Sequence, residues 1–483
     1  MLILQNMQTR RLSDIINARN MLTDVEFLER ELTKWLHSPQ RVMMIKGDDY
    51  YNYGHDITHK QRTIIGEGGK PFTDTNLPCN KFIDNQYANM VDQKVNYLLS
   101  KPLTFKTDDK AYNDALHTVF NKSFHKLLKN LGKDVYNGGI GWLYPYYDEN
   151  GNFKIRKFKP YEILPFWKDN DHDELDFAVR YYEVLGYEGH VEKVYKFVEV
   201  YDTNGIHKFT YENGGLKPDY QTYYFEMPNL KGELIPYNWD KIPLIPFKSN
   251  DSELPLLQKC KSLQDGINEL LSNFADSMQE NCSGNSVLIL KNYDGTDLGE
   301  FRRNLSQYRA VKVRTVDGAD GGLESLQIEV NSANYQVILS ELKKALIQNC
   351  RGYDIDELKS AGSPNEMTIK SIFSQIDLDA NELETEFQAS FERLLWFVNQ
   401  YLRTDATTDV IFDRDLMINE SQVIQDINAS SGLLSKRTLL SQHPFVNDVD
   451  DELNEVDKEQ AKELEQFGNA PLVKDTNDEL LEE

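Results

Sequence analysis

Two histidines four residues apart, in His55-Asp56-Ile57-Thr58-His59, form the first pattern whose residue types could do chemistry. On one helix face they would ligate zinc, but that mechanism needs a glutamate beside the first ligand as general base, and Asp56 is too short. The preceding Tyr-Tyr-Asn-Tyr-Gly is a poor helix, so the segment reads as a folded loop holding a hydrogen-bonded histidine. Gly66-Glu67-Gly68-Gly69-Lys70 has the glycines and lysine of a phosphate loop. A Walker A site also needs a glycine five residues before the Gly-Lys pair and a hydroxyl after it, and those places hold Ile64 and Pro71. It reads as a flexible turn. Asp413-x-Asp415 falls in a strand edge where solvated carboxylates are the rule, and no Gly-x-Ser-x-Gly elbow occurs. Cys79, Cys260, Cys282 and Cys350 form no Cys-x-x-Cys pair, so neither a disulfide framework nor a thiolate zinc site is indicated. The reading is no catalytic residue, no cofactor and no metal, in a chain suited to a reducing cytosol.

The elements that would position any function follow from length and pattern. The 483 residues predict two to four domains at roughly 100–200 residues each. A hydrophobic share of 40% is enough to build cores. The net charge of −25 argues against a protein that grips nucleic acid by neutralising phosphates. Met1-Leu2-Ile3-Leu4 is too short for a signal-peptide core, and no run reaches the ~18 apolar residues of a membrane span, so a soluble protein is expected.

Thr23-Asp-Val-Glu reads as a capping box before a helix that Pro39 ends, with Val25, Leu28, Leu32, Trp35 and Leu36 at helical spacing. A second helix is expected from Phe82 to Ser100, and a third on the stripe Phe124, Leu127, Leu128, Leu131 and Val135. Residues 141–246 read as antiparallel β structure, with turns at Glu149-Asn150-Gly151, Asn204-Gly205 and Asn213-Gly214. After Pro255 a narrow seam of Leu256, Cys260, Leu263, Ile267, Leu270, Phe274 and Met278 predicts a long helix with one helical neighbour. A small α/β insertion follows, with strands at Ser286–Lys291, Ala310–Arg314 and Leu326–Val330, a helix around Glu300–Tyr308 and a Gly-rich turn at Asp317–Gly322. A second one-sided helix then spans Ser332–Cys350, carrying Tyr335, Ile338, Leu339, Leu342, Ala345 and Leu346. Two amphipathic rods therefore flank a projecting tip. Residues 351–362 lack a period. Ser363-Pro364-Asn365-Glu366 then opens a helix running to about Arg403, long enough to be kinked or to span the particle. A strand at Asp409–Leu416, a helix at Ser421–Ser431, a Gly432 break and a helix from about Ser435 precede an acidic stretch. Residues 448–483 hold 14 Asp+Glu and 3 Lys, and their end is expected to be disordered.

Several segments together resemble the portal proteins of tailed bacteriophages, in the family typical of long-tailed phages of Gram-positive hosts. They are Tyr50-Tyr51-x-Tyr53-Gly54-His55-x-Ile57, Asn80-Lys81-x-x-Asp84-Asn85-x-Tyr87 continuing through Val91-Asp92-x-Lys94-x-x-Tyr97-Leu98-x-x-Lys101-Pro102, Gly139-x-Gly141-Trp142, Leu290-Lys291-Asn292-Tyr293-Asp294-Gly295, and Pro444-Phe445-Val446. The resemblance implies an α+β portal fold. Residues 1–251 and a long, kinked helix 364–403 would form a wing carrying the antiparallel β region, with 252–282 and 332–350 as a two-helix stem. Residues 283–331 would be a small α/β clip, 351–363 a tunnel loop, 404–460 a helical crown and 461–483 an acidic tail.

It also implies a non-enzymatic ring of about twelve copies at one capsid vertex. Double-stranded DNA would pass through it weakly and without sequence preference. The terminase large subunit would dock on it, followed by head-completion or adaptor proteins, with major capsid and scaffolding proteins around it and no membrane partner. The protein would reside in the virion, and in the host cytoplasm during assembly. Candidate DNA-facing residues are Tyr353, Asp354, Asp356, Glu357 and Lys359. Candidate clip contacts are Arg302, Arg303 and Arg309, where a surface ion pair is worth under ~1 kcal/mol. Candidate intersubunit packing residues are Leu263, Ile267, Leu270, Phe274, Met278, Leu339 and Leu342. A ring closing head to tail needs two unlike faces per subunit, and a negative lumen lets a polyanion slide. The competing readings are a scaffold or minor capsid protein that never encloses DNA, and a nuclease or ATPase of the packaging machine.

Overall fold

The computed structural model of the protein describes residues 24–65, 70–73, 77–228, 233–282, 287–291, 297, 299, 322–326, 332–354, 356, 366–414, 420–443, 445–446, 449, 452–453 and 455–459. They belong to two compact units, one of Met1–Asp354 with Ser374–Asp415, the other of Ile355–Phe373 with Leu416–Glu483.

The first unit opens with α1 (Asp24–Leu36) and α2 (Pro39–Tyr51). Pro39 does not only stop a helix, as the sequence suggests. It starts one, because at the first helical position its missing N–H is no loss and its fixed φ is already helical. Ser38 caps α2, accepting from the Arg41 N–H at 3.2 Å. A 3-10 turn (Asp56–His59) and the hairpin β1 (Thr63–Ile65) with β2 (Pro71–Thr73) follow. Gly66 to Gly69 lie outside the described residues. Helix α3 spans Gln86–Leu99, starting later than the expected Phe82 because Asn85 caps it, accepting from the Ala88 N–H at 3.0 Å. After β3 (Thr104–Lys106) comes α4 (Lys110–Val119), a helix the pattern does not announce, since it buries only Tyr112 and Leu116. In α5 (Lys122–Gly138) Phe124, Leu128, Leu131 and Val135 of the expected stripe are buried and Leu127 is half-buried. It ends at Gly139, whose φ of +81° is left-handed and where a Cβ would lie 2.1 Å from the Glu253 carbonyl oxygen. Both facts demand glycine.

The β region is antiparallel throughout, as expected. β4 (Ile140–Tyr147) and β5 (Phe153–Phe158) form a hairpin. β6 (Ile163–Trp167), β7 (Leu175–Glu188), β8 (Val191–Asp202), β9 (Gly205–Glu212) and β10 (Gly215–Thr222) meander into one sheet ordered β10-β9-β8-β7-β6. β11 (Phe225–Pro228) pairs with β12 (Leu234–Tyr237), and β13 (Ile245–Lys248) returns to β4. Asn213 and Gly214, at φ +52° and +84°, make the tight hairpin turn that the Asn-Gly signal predicts. Phe27, Leu28, Leu32 and Trp35 of α1 bury themselves against Leu164, Phe166, Phe177, Val179 and Val198 of the sheet. Glu29 also accepts from the Leu216 N–H at 2.7 Å, covering edge strand β10.

Helix α6 (Leu257–Cys282) leads to β14 (Val287–Lys291), which pairs antiparallel with β15 (Gly322–Leu326), and α7 (Ser332–Asn349) returns. The second strand of this pair therefore begins at Gly322, before the expected Leu326. Its register is set by β14, where Lys291 faces Gly322 and Val287 faces Leu326. The expected helix 300–308 and strand 310–314, with Arg302, Arg303 and Arg309, lie outside the described residues. Helix α8 (Glu366–Leu402) runs 37 residues without interruption, and its capping Ser363 lies outside the described residues. Strand β16 (Asp409–Ile411) pairs with β3 and is shorter than expected, and Phe412 after it packs on Phe387 and Phe391 of α8. In the second unit, α9 (Glu420–Ala429), the Gly432 break at φ +95° and α10 (Lys436–Ser441) fall where the sequence places them, with Ser435 as the cap of α10.

One buried ion pair ties three helices of the first unit together. Lys94 of α3, with no exposed side-chain surface, meets Asp379 of α8 at 2.6 Å. The Tyr136 hydroxyl of α5 donates to the same carboxylate at 2.9 Å. Burial lowers the Lys94 pKa and the Asp379 charge opposes that shift. Removing one partner strands a charge in the core. Asp379→Ala is expected to cost about 3–5 kcal/mol in urea unfolding, while the double change Lys94→Met with Asp379→Leu stays nearer the parent.

Candidate functional site

Helices α6 and α7 pack antiparallel in one register. As the contacts along α6 fall from Phe274 to Gly266, those along α7 climb from Tyr335 to Leu342. The Phe274 and Tyr335 rings lie 4.7 Å apart, and a Cβ on Gly266 would sit 3.9 Å from Leu342. The seam read from the sequence is thus spent largely inside one chain. Ile267 is fully buried within the single chain. Leu263, Leu270, Phe274, Leu339 and Leu342 are half-buried. Met278 is 45% exposed, and Val337 and Ile338 of α7 are 61% and 50% exposed.

A second face of α6 carries polar residues one turn apart, Gln264, Asn268, Ser272 and Asp276, all of them buried. They hold the strap that runs into α3. Asp276 accepts from the Asn80 N–H at 2.7 Å, Ser272 from the Phe82 N–H at 3.0 Å, Asn268 from the Asp84 N–H at 3.0 Å and Gln264 from the Tyr87 N–H at 2.9 Å. Gln264 also donates to the Asp84 carbonyl at 2.7 Å. Asn268 donates to His55 Nδ1 at 3.0 Å, so the expected hydrogen-bonded histidine is found, while His59 ends the 3-10 turn exposed to solvent. Lys60 pairs with Asp276 at 3.0 Å, and Lys343 of α7 pairs with Asp84 at 2.7 Å. The sequence reading followed the apolar seam and missed this ladder. Its signal was there, four short polar residues at i+4 spacing inside an apolar helix.

The far end of α7 anchors the next loop. Arg351 adopts a left-handed φ of +51°, its N–H donates to the Gln348 carbonyl, and the Gly352 N–H donates to the Ile347 carbonyl at 2.9 Å. This is a Schellman stop with Cys350 as the C-cap. Gly352 lies against Met90, where a Cβ would come within 2.5 Å of the sulfur. Gln93 of α3 grips Tyr353 at both backbone groups, donating to its carbonyl at 3.2 Å and accepting from its N–H at 3.4 Å. Of the proposed loop residues, Tyr353 and Asp354 are half-buried, Asp356 is exposed, and Glu357 and Lys359 lie outside the described residues. Among the described residues no group of three or more His, Cys, Asp or Glu could hold a metal ion, and no helix is long and apolar enough to cross a membrane.

Asp276 links the ladder to pH. Burial pushes its pKa up, but hydrogen bonds from Asn80 and the Lys60 ammonium outweigh that and hold it below the usual carboxylate value. A carboxyl lowered on folding contributes stability above its unfolded pKa of about 3.9 and loses it as pH falls further. The urea midpoint of the parent should therefore exceed that of Asp276→Asn at neutral pH, and the gap should narrow as pH drops from about 6 to about 3.

The family model described as "Phage portal protein, SPP1 Gp6-like" matches residues 36–466. The portal protein of Bacillus phage SPP1 is 28% identical over 463 residues, 92% of this chain and 89% of that protein. The portal protein of Clostridium phage phiCD119 is 25% identical over 430 residues, 85% of this chain and 91% of that protein. Among solved structures, a chain from the neck of a native GTA particle, computed with C12 symmetry, aligns at 12% identity and a TM-score of 0.38 over 73% of this chain and 87% of that one, a likeness too loose to carry an argument. The family match runs from the end of α1 through the strap and helices α6 and α7 into the second unit, and the chain belongs to the SPP1 Gp6-like phage portal proteins.

Proposed function

We propose that copies of this chain close into a ring of about twelve at one capsid vertex and conduct double-stranded DNA during packaging and ejection. The observation that carries this reading is the stem. Helix α6 is saturated by α7 on one side and the strap on another, yet Val337 and Ile338 of α7 and Met278 of α6 remain exposed, apolar surface that a neighbouring subunit would cover. Residues 283–331 would form the clip that docks the terminase large subunit and later head-completion or adaptor proteins. Residues 404–460 would form the crown, and 351–363 the tunnel loop. Major capsid and scaffolding proteins would surround the ring. The family is structural, and we infer that the chain has no activity of its own and acts by passing DNA that a separate motor drives. With a net charge of −25 per subunit, the ring would hold phosphates weakly, which a fast-moving polyanion requires.

Negative-stain images of the purified chain should show rings with a central hole and a mass of roughly 670 kDa, twelve times 56.0 kDa. Solid particles, or a monomer at all concentrations, would favour the scaffold reading, and ATP hydrolysis by the pure protein the motor reading. Val337→Asp with Ile338→Asp should give a folded chain that no longer closes rings. Phe274→Asp, which buries a carboxylate against Tyr335, should disrupt the stem itself.

Deleting residues 353–361 should leave rings intact while packaging or DNA retention is lost in a phage assembly assay. Unassembled monomers from that deletion would contradict the loop assignment.

A further inference from the structure

Helix α5 carries Lys122, Lys126, Lys129 and Lys133 in steps of 4, 3 and 4 residues. At about 100° per residue they fall on one face, opposite the buried Phe124, Leu128, Leu131 and Val135. Lys122 and Lys126 are exposed and Lys129 is half-buried. Lys133 is committed, 3.0 Å from Asp92 and donating to the Tyr51 hydroxyl at 2.6 Å. The ammonium groups of the other three make no ion pair or hydrogen bond among the described residues, and the acid of α5, Asp134, is buried and taken by Lys157 and Lys159. Lysine in the first turn also opposes the helix dipole, so nothing within α5 favours the stripe. In a chain of net charge −25 it is a concentrated positive face.

A complementary face occurs in the same sequence. Residues 449, 452–453 and 455–459 are helical, with Glu452, Glu455 and Glu459 exposed on one face and Val449, Leu453 and Val456 half-buried on another. These glutamates too make no ion pair among the described residues. Read antiparallel, Glu459, Glu455 and Glu452 step by 4 and 3 residues, as Lys122, Lys126 and Lys129 do, so both sets recur after about 6.0 and 10.5 Å along their axes. We propose that the acidic helix of one copy docks antiparallel on the lysine face of α5 in a second copy, pairing Lys122 with Glu459, Lys126 with Glu455 and Lys129 with Glu452. A ring closed head to tail needs two unlike faces on every subunit, and these two are unlike and of opposite charge. Stacking two α5 faces would set ammonium against ammonium, which excludes the symmetric dimer. Exposed pairs are individually weak, but three in register fix where the helix sits along α5, and a slide of one turn leaves fewer of them made. The contact deepens the ring reading and rests on it for head-to-tail closure.

The test is charge reversal in the full chain. One variant carries Lys122→Glu, Lys126→Glu and Lys129→Glu, the other Glu452→Lys, Glu455→Lys and Glu459→Lys. None of the six side chains is buried, so the urea midpoints should stay with the parent's. The expected result is about tenfold fewer rings from either variant alone in negative stain at about 0.1 M salt, and recovery when the two are co-expressed, because each then supplies the face the other lacks. Recovery in a single chain with all six changes but not on co-expression would put the contact within one chain and overturn the proposal. So would variants that assemble like the parent, or a failure of both rescues. Loss of duplex DNA retention by the lysine variant, with assembly unchanged, would assign the stripe to DNA and overturn it as well. A parent that forms no rings removes the ring reading alone, and the contact is then read from tagged pairs. The lysine variant should co-purify with the glutamate variant and not with itself, and no co-purification of the two removes the contact.

Discussion

A helix has no backbone groups to offer a strand laid along it, because its own N–H and C=O groups are already bonded to each other. The placement of α6 depends on how this chain meets that constraint. Short polar side chains one turn apart, Asp276, Ser272 and Asn268, take the N–H groups of Asn80, Phe82 and Asp84. The repeats are commensurate, since four helical residues rise about 6.0 Å and two extended residues about 6.6 Å. The strap can follow the helix for three rungs before the mismatch accumulates, and it then turns into α3 under the Asn85 cap, with Gln264 taking the Tyr87 N–H as the last contact. Each rung satisfies a strap donor that would otherwise be costly so close to a buried helix face.

The sequence disclosed what repeats and hid what pairs at a distance. The α6 and α7 seams, the α5 stripe and the Asn-Gly turn at Asn213 were legible because each is a local pattern tied to one geometry. Helices α2 and α4 were not, since each buries only two or three side chains and leaves no stripe to count. Lys94 and Asp379 could not be recognised as partners, because nothing local tells a buried lysine from a solvated one. The seam also misled in one respect. A stripe says that a helix has an apolar neighbour but not whether that neighbour is in the same chain, and Ile267 is buried within this one. The resemblance to portal proteins was legible in scattered short segments, and one of these contains Lys94 and the strap residues Asn80 and Asp84, whose structural work explains why those residue types are needed there.

The charge distribution follows the same division. A chain carrying −25 must place its few cations with care, and several are committed inside the first unit. Lys94 neutralises Asp379, Lys60 serves Asp276, and Lys343 meets Asp84 at the strap. Arg414 likewise bridges Asp377 and Glu384 on α8. Cations used this way hold helices together and contribute little attraction to a passing phosphate.

The strap and the seam do not constrain helices α6 and α7 equally. Helix α6 is held by α7, by the polar ladder and by Tyr50, whose hydroxyl donates to Asp265 at 2.6 Å. Among its described residues helix α7 buries only Leu346 fully, and its ties include the Lys343–Asp84 pair and the Schellman stop over α3. Within one chain, α6 is therefore the better-held of the two helices. Any motion of α7 would pivot where Arg351, Gly352 and Tyr353 are gripped by α3, which is also where the loop that follows takes its direction.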